Sequence, residues 1–365
     1  MRSGFKKNRY FLDVPEPEGA DWLSLNGIRL WLPPGKSLSL HKMSLSISEL
    51  SLDFFAPGWL IVSQALNFIL KYLFGTTDKY RVDRITKIGY GLSKVVYRAD
   101  IIIYSKREQH LVFAVSLLSG EANREAWKRM VREFYLLNSL QKNNPSFSVP
   151  EPLAILWVNG GMLSLRTFVT GYSLKFQLPR FCMDLPWEIV AQIAAEIHNI
   201  QNVDLPDEME YYATRREHVL ACVSKYQKYR VSQIQDCLEW ISANLPPEDN
   251  SCLIHGDLLN QNIYVSEGNG VSVLDWEYSF CGDPAYDLAI VTRGKKKPFG
   301  VTGGKGYLID SYLEAGGKKL SEKDVIIYEL FLILGWYEQS LDRSTGGHAP
   351  EHYLQKLGNM LRRVC

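Results

Sequence analysis

The chain reads as an α+β protein in which a small β-rich lobe precedes a mainly helical one, both following an N-terminal extension. Three observations predict this. From Tyr80 to Phe168 the apolar residues fall in short strand-like runs, interrupted by one amphipathic helix. From Pro186 onward they recur at helical spacing. Within that second half, the stretch from Ser251 to Leu288 carries polar groups at fixed offsets between short apolar runs: His255-Gly256-Asp257, then Asn262, then Asp275. The predicted boundaries are 1–79 for the extension, 80–166 for the first lobe and 167–365 for the second, with the polar core at 251–288.

Composition narrows the field. A chain of 365 residues, 46% hydrophobic and 22% charged, is long enough for two domains or two lobes around a shared cleft. A net charge of +1 argues against a general nucleic-acid binder, which needs a basic excess. Six cysteines without any C-x-x-C spacing argue against a zinc site and for reduced thiols, hence a cytoplasmic protein. The N-terminal Arg2, Lys6, Lys7 and Arg9 precede Asp13, Glu16 and Glu18 with no apolar run after them, unlike a secretory signal.

In the extension, Ile28–Leu32 and the nearly alternating Leu38–Leu52 read as strands of a small β-rich appendage. The segment Gly58–Phe74 is 17 residues long, short for a membrane span. Its polar Gln64, Asn67 and Lys71 share one helical face, so it is expected to pack on its own domain. A helix lying on a membrane surface is the less favoured alternative.

From Tyr80, a strand over Val82–Ile88 leads through the turn Gly89-Tyr90-Gly91-Leu92-Ser93-Lys94 into a second strand, Val95–Ala99. Glycines there let backbone N–H groups approach phosphate oxygens. By itself G-x-G is a weak signal that hairpins use freely. A third strand spans Leu111–Ser116, and an amphipathic helix from about Glu121 to Leu140 contains Glu133. Leu153–Trp157 and Met162–Phe168 form the last hairpin of the lobe. The second lobe opens with a helix over Pro186–Val203 that carries His198, read as a satisfied buried histidine. Residues 215–245 are helical, as are Leu308–Ala315 and Lys323–Tyr337. The basic run Arg293–Lys297 is either a solvated loop or a surface facing a phosphorylated or acidic substrate.

The core carries the chemistry. Ile263–Val265 and Val271–Leu274, joined by Glu267-Gly268-Asn269-Gly270, read as a hairpin that sets Asn262 and Asp275 at neighbouring strand ends. Asp257 precedes them on a loop. Such hard oxygen donors suit Mg²⁺; the plain structural alternative is a hairpin with exposed acidic turns.

H-x-D-x-x-x-x-N followed by a hydrophobic strand ending in Asp resembles the phosphotransfer core of aminoglycoside phosphotransferases and choline kinases, small-molecule relatives of the protein kinases. The H-G-D form, Trp276-Glu277 and Gly282-Asp283-Pro284-Ala285-Tyr286-Asp287-Leu288 match that branch better than the protein kinases. The resemblance implies a bilobal protein-kinase-like fold and Mg²⁺- and ATP-dependent (or GTP-dependent) phosphorylation of a small-molecule hydroxyl. It implies Asp257 as catalytic base with His255 holding its loop, Asn262 and Asp275 as metal ligands and Asp287 as a structural anchor. It places Gly89, Gly91, Ser93, Lys94 and Glu133 at the nucleotide. One departure stands out: the strand that carries the family's lysine has Ala114 and Ser116 instead. Lys94 either supplies the charge from the glycine turn or is a solvated loop lysine. Glu133, whose family partner is that strand lysine, is then a candidate solvated residue. The alternative function is a pseudokinase or nucleotide-binding scaffold.

Overall fold

The computed structural model describes residues 22–25, 28–31, 57–74, 79–90, 94–104, 108–119, 124–143, 145–158, 161–176, 185–201, 203, 205, 209–266, 270–342 and 348–364. The expected strand at 38–52, Gly91, Ser93 and the turn at 267–269 lie outside these residues. The chain divides into two compact units, one comprising 1–138, 150–168 and 205–208, the other 139–149, 169–204 and 209–365.

The first unit is built on one antiparallel sheet. Its strands are β1 (Trp22–Leu25), β2 (Ile28–Trp31), β3 (Tyr80–Tyr90), β4 (Val95–Tyr104), β5 (Glu108–Ser119), β6 (Pro152–Val158) and β7 (Gly161–Thr167), in the order β1-β2-β6-β7-β5-β4-β3. Strands β1 and β2, which fall in the predicted N-terminal extension, instead continue this sheet: β2 pairs β6 with Leu30 opposite Leu156. Helix α1 (Gly58–Phe74) covers one face. Ile61, Val62, Ala65, Leu66, Ile69 and Leu70 recur along one stripe and are at most 2% exposed. They pack against Tyr97, Ala99, Ile101, Val115 and Leu117 of β4 and β5. Burying such side chains contributes about 1.5–3 kcal/mol each, so the sheet absorbs the apolar face of the helix. No helix among the described residues is long and apolar enough to cross a membrane.

Helix α2 (Arg124–Lys142) meets the sheet's other face, where Ala126, Met130, Val131 and Phe134 contact Leu118, Ile155, Trp157 and Met162. Side chains alternate across a strand, so Ala114 and Ser116 share that face with Leu118.

The second unit holds two small sheets and seven helices among its described residues. The strands are β8 (Tyr172–Ser173), β9 (Cys252–Ile254), β10 (Ile263–Val265), β11 (Val271–Val273) and β12 (Phe280–Gly282). The helices are α3 (Pro186–Asn199), α4 (Arg215–Tyr226), α5 (Ser232–Ala243), α6 (Ala285–Thr292), α7 (Gly304–Glu314), α8 (Glu322–Ser340) and α9 (Pro350–Val364). The run at 215–245 is thus two helices, broken between Tyr226 and Ser232. Helix α8 starts on a capping box, Ser321 and Asp324 each serving the other's backbone N–H. Arg215, 2% exposed, ties α4 to this unit's core through Asp283 at 2.9 Å and Asp324 at 3.1 Å. Neither partner was apparent from sequence.

Candidate active site

The hairpin register sets the geometry of the candidate site. Ile263 lies opposite Val273, and the Leu274 N–H donates to the Asn262 carbonyl at 2.8 Å. Asn262 is therefore held one residue from Asp275. Between β9 and this hairpin runs the loop His255-Gly256-Asp257, which the Asp287 carboxylate clamps from below. Its two oxygens accept the backbone N–H groups of His255 and Gly256, both at 2.8 Å. Asp287 is itself fully buried at the start of α6 and meets His198 Nε2 at 3.1 Å, while His198 Nδ1 meets the Tyr312 hydroxyl at 2.8 Å. His198 is thus a buried support behind the loop.

His255 is also fully buried. Its Nδ1 accepts from the Asp257 N–H at 3.2 Å, which puts the ring proton on Nε2, 3.0 Å from the Leu274 carbonyl. The ring packs on Trp276, with centroids 4.6 Å apart. His255 therefore ties the Asp257 loop to the strand end that presents Asp275. It positions and does not face solvent.

Asp257 is half-buried, and the Asn262 amide donates to its carbonyl at 2.8 Å and to its carboxylate at 2.9 Å. Burial pushes its carboxyl up to about 6, and the neighbouring charge of Asp275 adds to this; the Asn262 bond and the Arg293 charge oppose it. With the Asn262 nitrogen engaged, its side-chain oxygen is the atom left for a cation. Asp275 adopts φ 65°, ψ 60°, a left-handed conformation that Asp and Asn tolerate better than other side chains. Among the described residues no three His, Cys, Asp or Glu side chains form a ready-made metal cage. The donor set fits Mg²⁺ nonetheless, because that ion is commonly held by one or two carboxylates together with waters and phosphates.

In the first unit, the alternative of a solvated Glu133 does not hold. Glu133 is 4% exposed on α2 and lies between two cations: Lys94 Nζ at 3.6 Å and Arg166 Nη1 at 2.8 Å. Lys94, 7% exposed at the start of β4, is no solvated loop lysine either. Arg166, which sequence reading placed merely at the end of the lobe, stands directly across from Ala114 in the β5–β7 pairing. The guanidinium and the ammonium thus both offset the Glu133 charge. Gly89 sits at the end of β3 with nothing within 4 Å of where a Cβ would project. Ser116 Oγ is buried and has no hydrogen-bond partner among the described residues.

Residues 104–316, more than half of the chain, match the model of the phosphotransferase enzyme family. The chain belongs to that family. Its α+β fold is of the protein-kinase-like type. Solved structures share this fold at low identity. Aminoglycoside phosphotransferase APH(4)-Ia superposes with a TM-score of 0.55 at 16% identity, over 82% of this chain and 98% of that one. Spectinomycin phosphotransferase APH(9)-Ia, in complex with ADP and spectinomycin, gives 0.52 at 13%, over 81% and 93%. A choline/ethanolamine kinase family protein from Mesorhizobium loti gives 0.53 at 17%, over 82% and 94%. Among curated sequences, acyl-CoA dehydrogenase family member 11 from Homo sapiens is 37% identical over 107 residues, 26% of this chain and 13% of that protein. The Gallus gallus protein is 39% identical over 66 residues, 17% and 8%. The chain spans about a tenth of the length of these curated relatives.

Proposed function

We propose that this phosphotransferase moves the γ-phosphoryl group of Mg·ATP to an alcohol oxygen of a small molecule, with Asp257 as the base. The observation that carries the proposal is the arrangement around Asp257: one half-buried carboxylate, oriented by the Asn262 amide, with Asp275 near enough to raise its affinity for a proton. In the step, the acceptor oxygen attacks the γ-phosphorus, the bond to the β-phosphate bridging oxygen breaks, and ADP leaves. The acceptor proton passes to an Asp257 carboxylate oxygen. Asn262 and Asp275 would hold the metal, which when bound offsets charge on the phosphate oxygens. Lys94 contributes positive charge for the phosphates, in the role of a lysine on β5. Structures of similar fold hold ADP, which supports the choice of nucleotide. A thermal-shift titration with ATP or GTP, with and without Mg²⁺, followed by ADP release across a panel of alcohols, tests the proposal. Absence of any Mg-dependent nucleotide shift would reject it. The scaffold alternative rested on the missing strand lysine, and a buried lysine already paired with Glu133 takes away that ground.

A further inference from the structure

The second unit contains a basin whose charge the phosphotransfer step leaves unexplained. A cavity of about 630 Å³ opens between the α6–α7 link, the first turns of α7 and α8, and the end of α9. A smaller one of about 200 Å³ adjoins it and shares Gly294, Lys296, Met360 and Arg363. Together their walls carry Lys295, Lys296, Lys305, Lys323, Lys356 and Arg363. The acidic residues on the same walls are Glu322 and Glu329. Glu329 is fully buried and already engaged, accepting from the Thr292 hydroxyl, from the Gly294 N–H at 3.1 Å and from Lys305 at 2.6 Å. It neutralises Lys305 and leaves the other cations in excess.

A further cation, Arg293, crowds the basin residue Lys356. Arg293 and Lys356 both stack on the Trp336 ring, at 5.7 and 4.4 Å from its centroid. The Arg293 Nε is buried and has no hydrogen-bond partner among the described residues. Lys356 is held below the ordinary lysine range by burial and then by repulsion from Arg293 and Lys295. A folded protein keeps uncompensated like charges together at a cost, and a bound anion would offset it. The volume suits a small molecule.

The basin also has a route to the chemistry. Helix α6 carries Asp287, which clamps the Asp257 loop, in its first turn, and is capped by Arg293, directly before the basin residues Gly294, Lys295 and Lys296. We propose that the basin binds the anionic group of the acceptor, so that the alcohol phosphorylated by this enzyme carries a phosphate or carboxylate of its own. This deepens the phosphotransfer reading and rests on it.

Inorganic pyrophosphate is the probe, added to the full chain without Mg²⁺ against sodium chloride of equal ionic strength. It is expected to raise the melting temperature and to protect Lys295, Lys296 and Lys356 several-fold from amine acetylation read by mass spectrometry. Lys296 and Arg363 are exposed, so K296E/R363E should fold. That variant should bind pyrophosphate at least tenfold more weakly while keeping the wild-type shift with Mg·ADP. Protection confined to Lys94, no protection at all, or equal pyrophosphate binding by variant and wild type would overturn the basin. If pyrophosphate protects the basin but Mg·ADP gives no shift, phosphotransfer fails and the anion site stands. An acceptor screen then pairs phosphorylated alcohols with their neutral parents. Turnover of the neutral parents alone, unchanged in K296E/R363E, would overturn the assignment to the acceptor.

Discussion

Replacing Lys94 by Met keeps the apolar stem and removes only the charge. The surroundings decide what that costs. Glu133 is shared between Lys94 at 3.6 Å and Arg166 at 2.8 Å. With Lys94 gone, Arg166 still neutralises the carboxylate, so no buried charge is left alone and the fold should tolerate the change. Glu133→Gln is the opposite case. It removes the carboxylate that Lys94 and Arg166 share in a largely buried site, and breaking a buried pair this way costs about 3–5 kcal/mol. Nucleotide affinity should rank the variants differently. An ammonium bonded to a phosphate oxygen is worth about 1.5–3 kcal/mol, which is roughly 10- to 150-fold in dissociation constant or turnover. Calorimetric titration with ADP, alongside thermal melts of the apo proteins, reads both effects. Lys94→Met is expected to weaken ADP by that factor with a small change in melting temperature, and Glu133→Gln to melt well below it. A lysine introduced at Ala114 in the Lys94→Met background lands across from Arg166 and should recover part of the affinity. If Lys94→Met binds ADP like wild type, Lys94 holds Glu133 for structural reasons alone.

Three further outcomes follow from the second unit. Asp257→Asn should keep ADP affinity within a few fold and cut turnover by about 10²–10⁴, the usual worth of a positioned base; unchanged turnover with any accepted alcohol would move the base elsewhere. Asp275→Asn preserves a residue suited to φ 65° while removing the charge, so the apo melting temperature should hold and the Mg-dependent part of the nucleotide shift should vanish. His218 is buried, stacked on Tyr212, and its Nδ1 faces the Asp283 N–H and the Tyr328 hydroxyl; burial pushes its pKa down to about 3. The unfolded chain therefore binds a proton below about 6.5 that the folded chain refuses, so stability falls as pH drops from there toward 3. Between pH 7 and 5 the loss is about 2 kcal/mol. Asp283, pushed up to about 6 by burial, acts in the opposite sense over part of that window. The difference between wild type and His218→Gln in denaturant melts isolates the histidine, and parallel pH profiles would count against this assignment.

The elements that were legible in the sequence are those written in local spacing. The stripe of α1 and the hairpin around Asn262 and Asp275 each lie within a few residues of chain. Resemblance then supplied roles for residues already singled out by their offsets. Long-range pairing was not legible. Strand β2 joins a partner more than a hundred residues away, so nothing in 28–31 announces the sheet. Arg166 meets Glu133 only because β7 lies next to β5, a sheet order that single-strand patterning does not encode. The basin is harder still, since its cations come from α7, α8, α9 and one loop. Only the run Arg293–Lys297 shows locally, and a basic run in isolation is usually just solvated.

Unusual backbone conformations mark the same places. Gly256 has φ 81°, and a Cβ there would sit 2.1 Å from the Tyr278 carbonyl oxygen, so only glycine allows the loop to turn its N–H toward Asp287. Asp275 and Arg293 are two of the three non-glycine residues with positive φ among the described residues. Such conformations cost about 1–3 kcal/mol each and persist where surrounding contacts enforce them. Here the enforcing contacts are on the page. The Leu274 carbonyl is held by His255, and the N–H of Arg293 caps α6 on the Ala289 carbonyl at 2.7 Å. Asp287 of α6 thus holds the His255–Asp257 loop, and the Arg293 cap turns the chain into the basin residues Gly294, Lys295 and Lys296. Asp287 stands at one end of that helix and Arg293 at the other. One helix eight residues long therefore links the clamp on the Asp257 loop to the segment that enters the cationic basin.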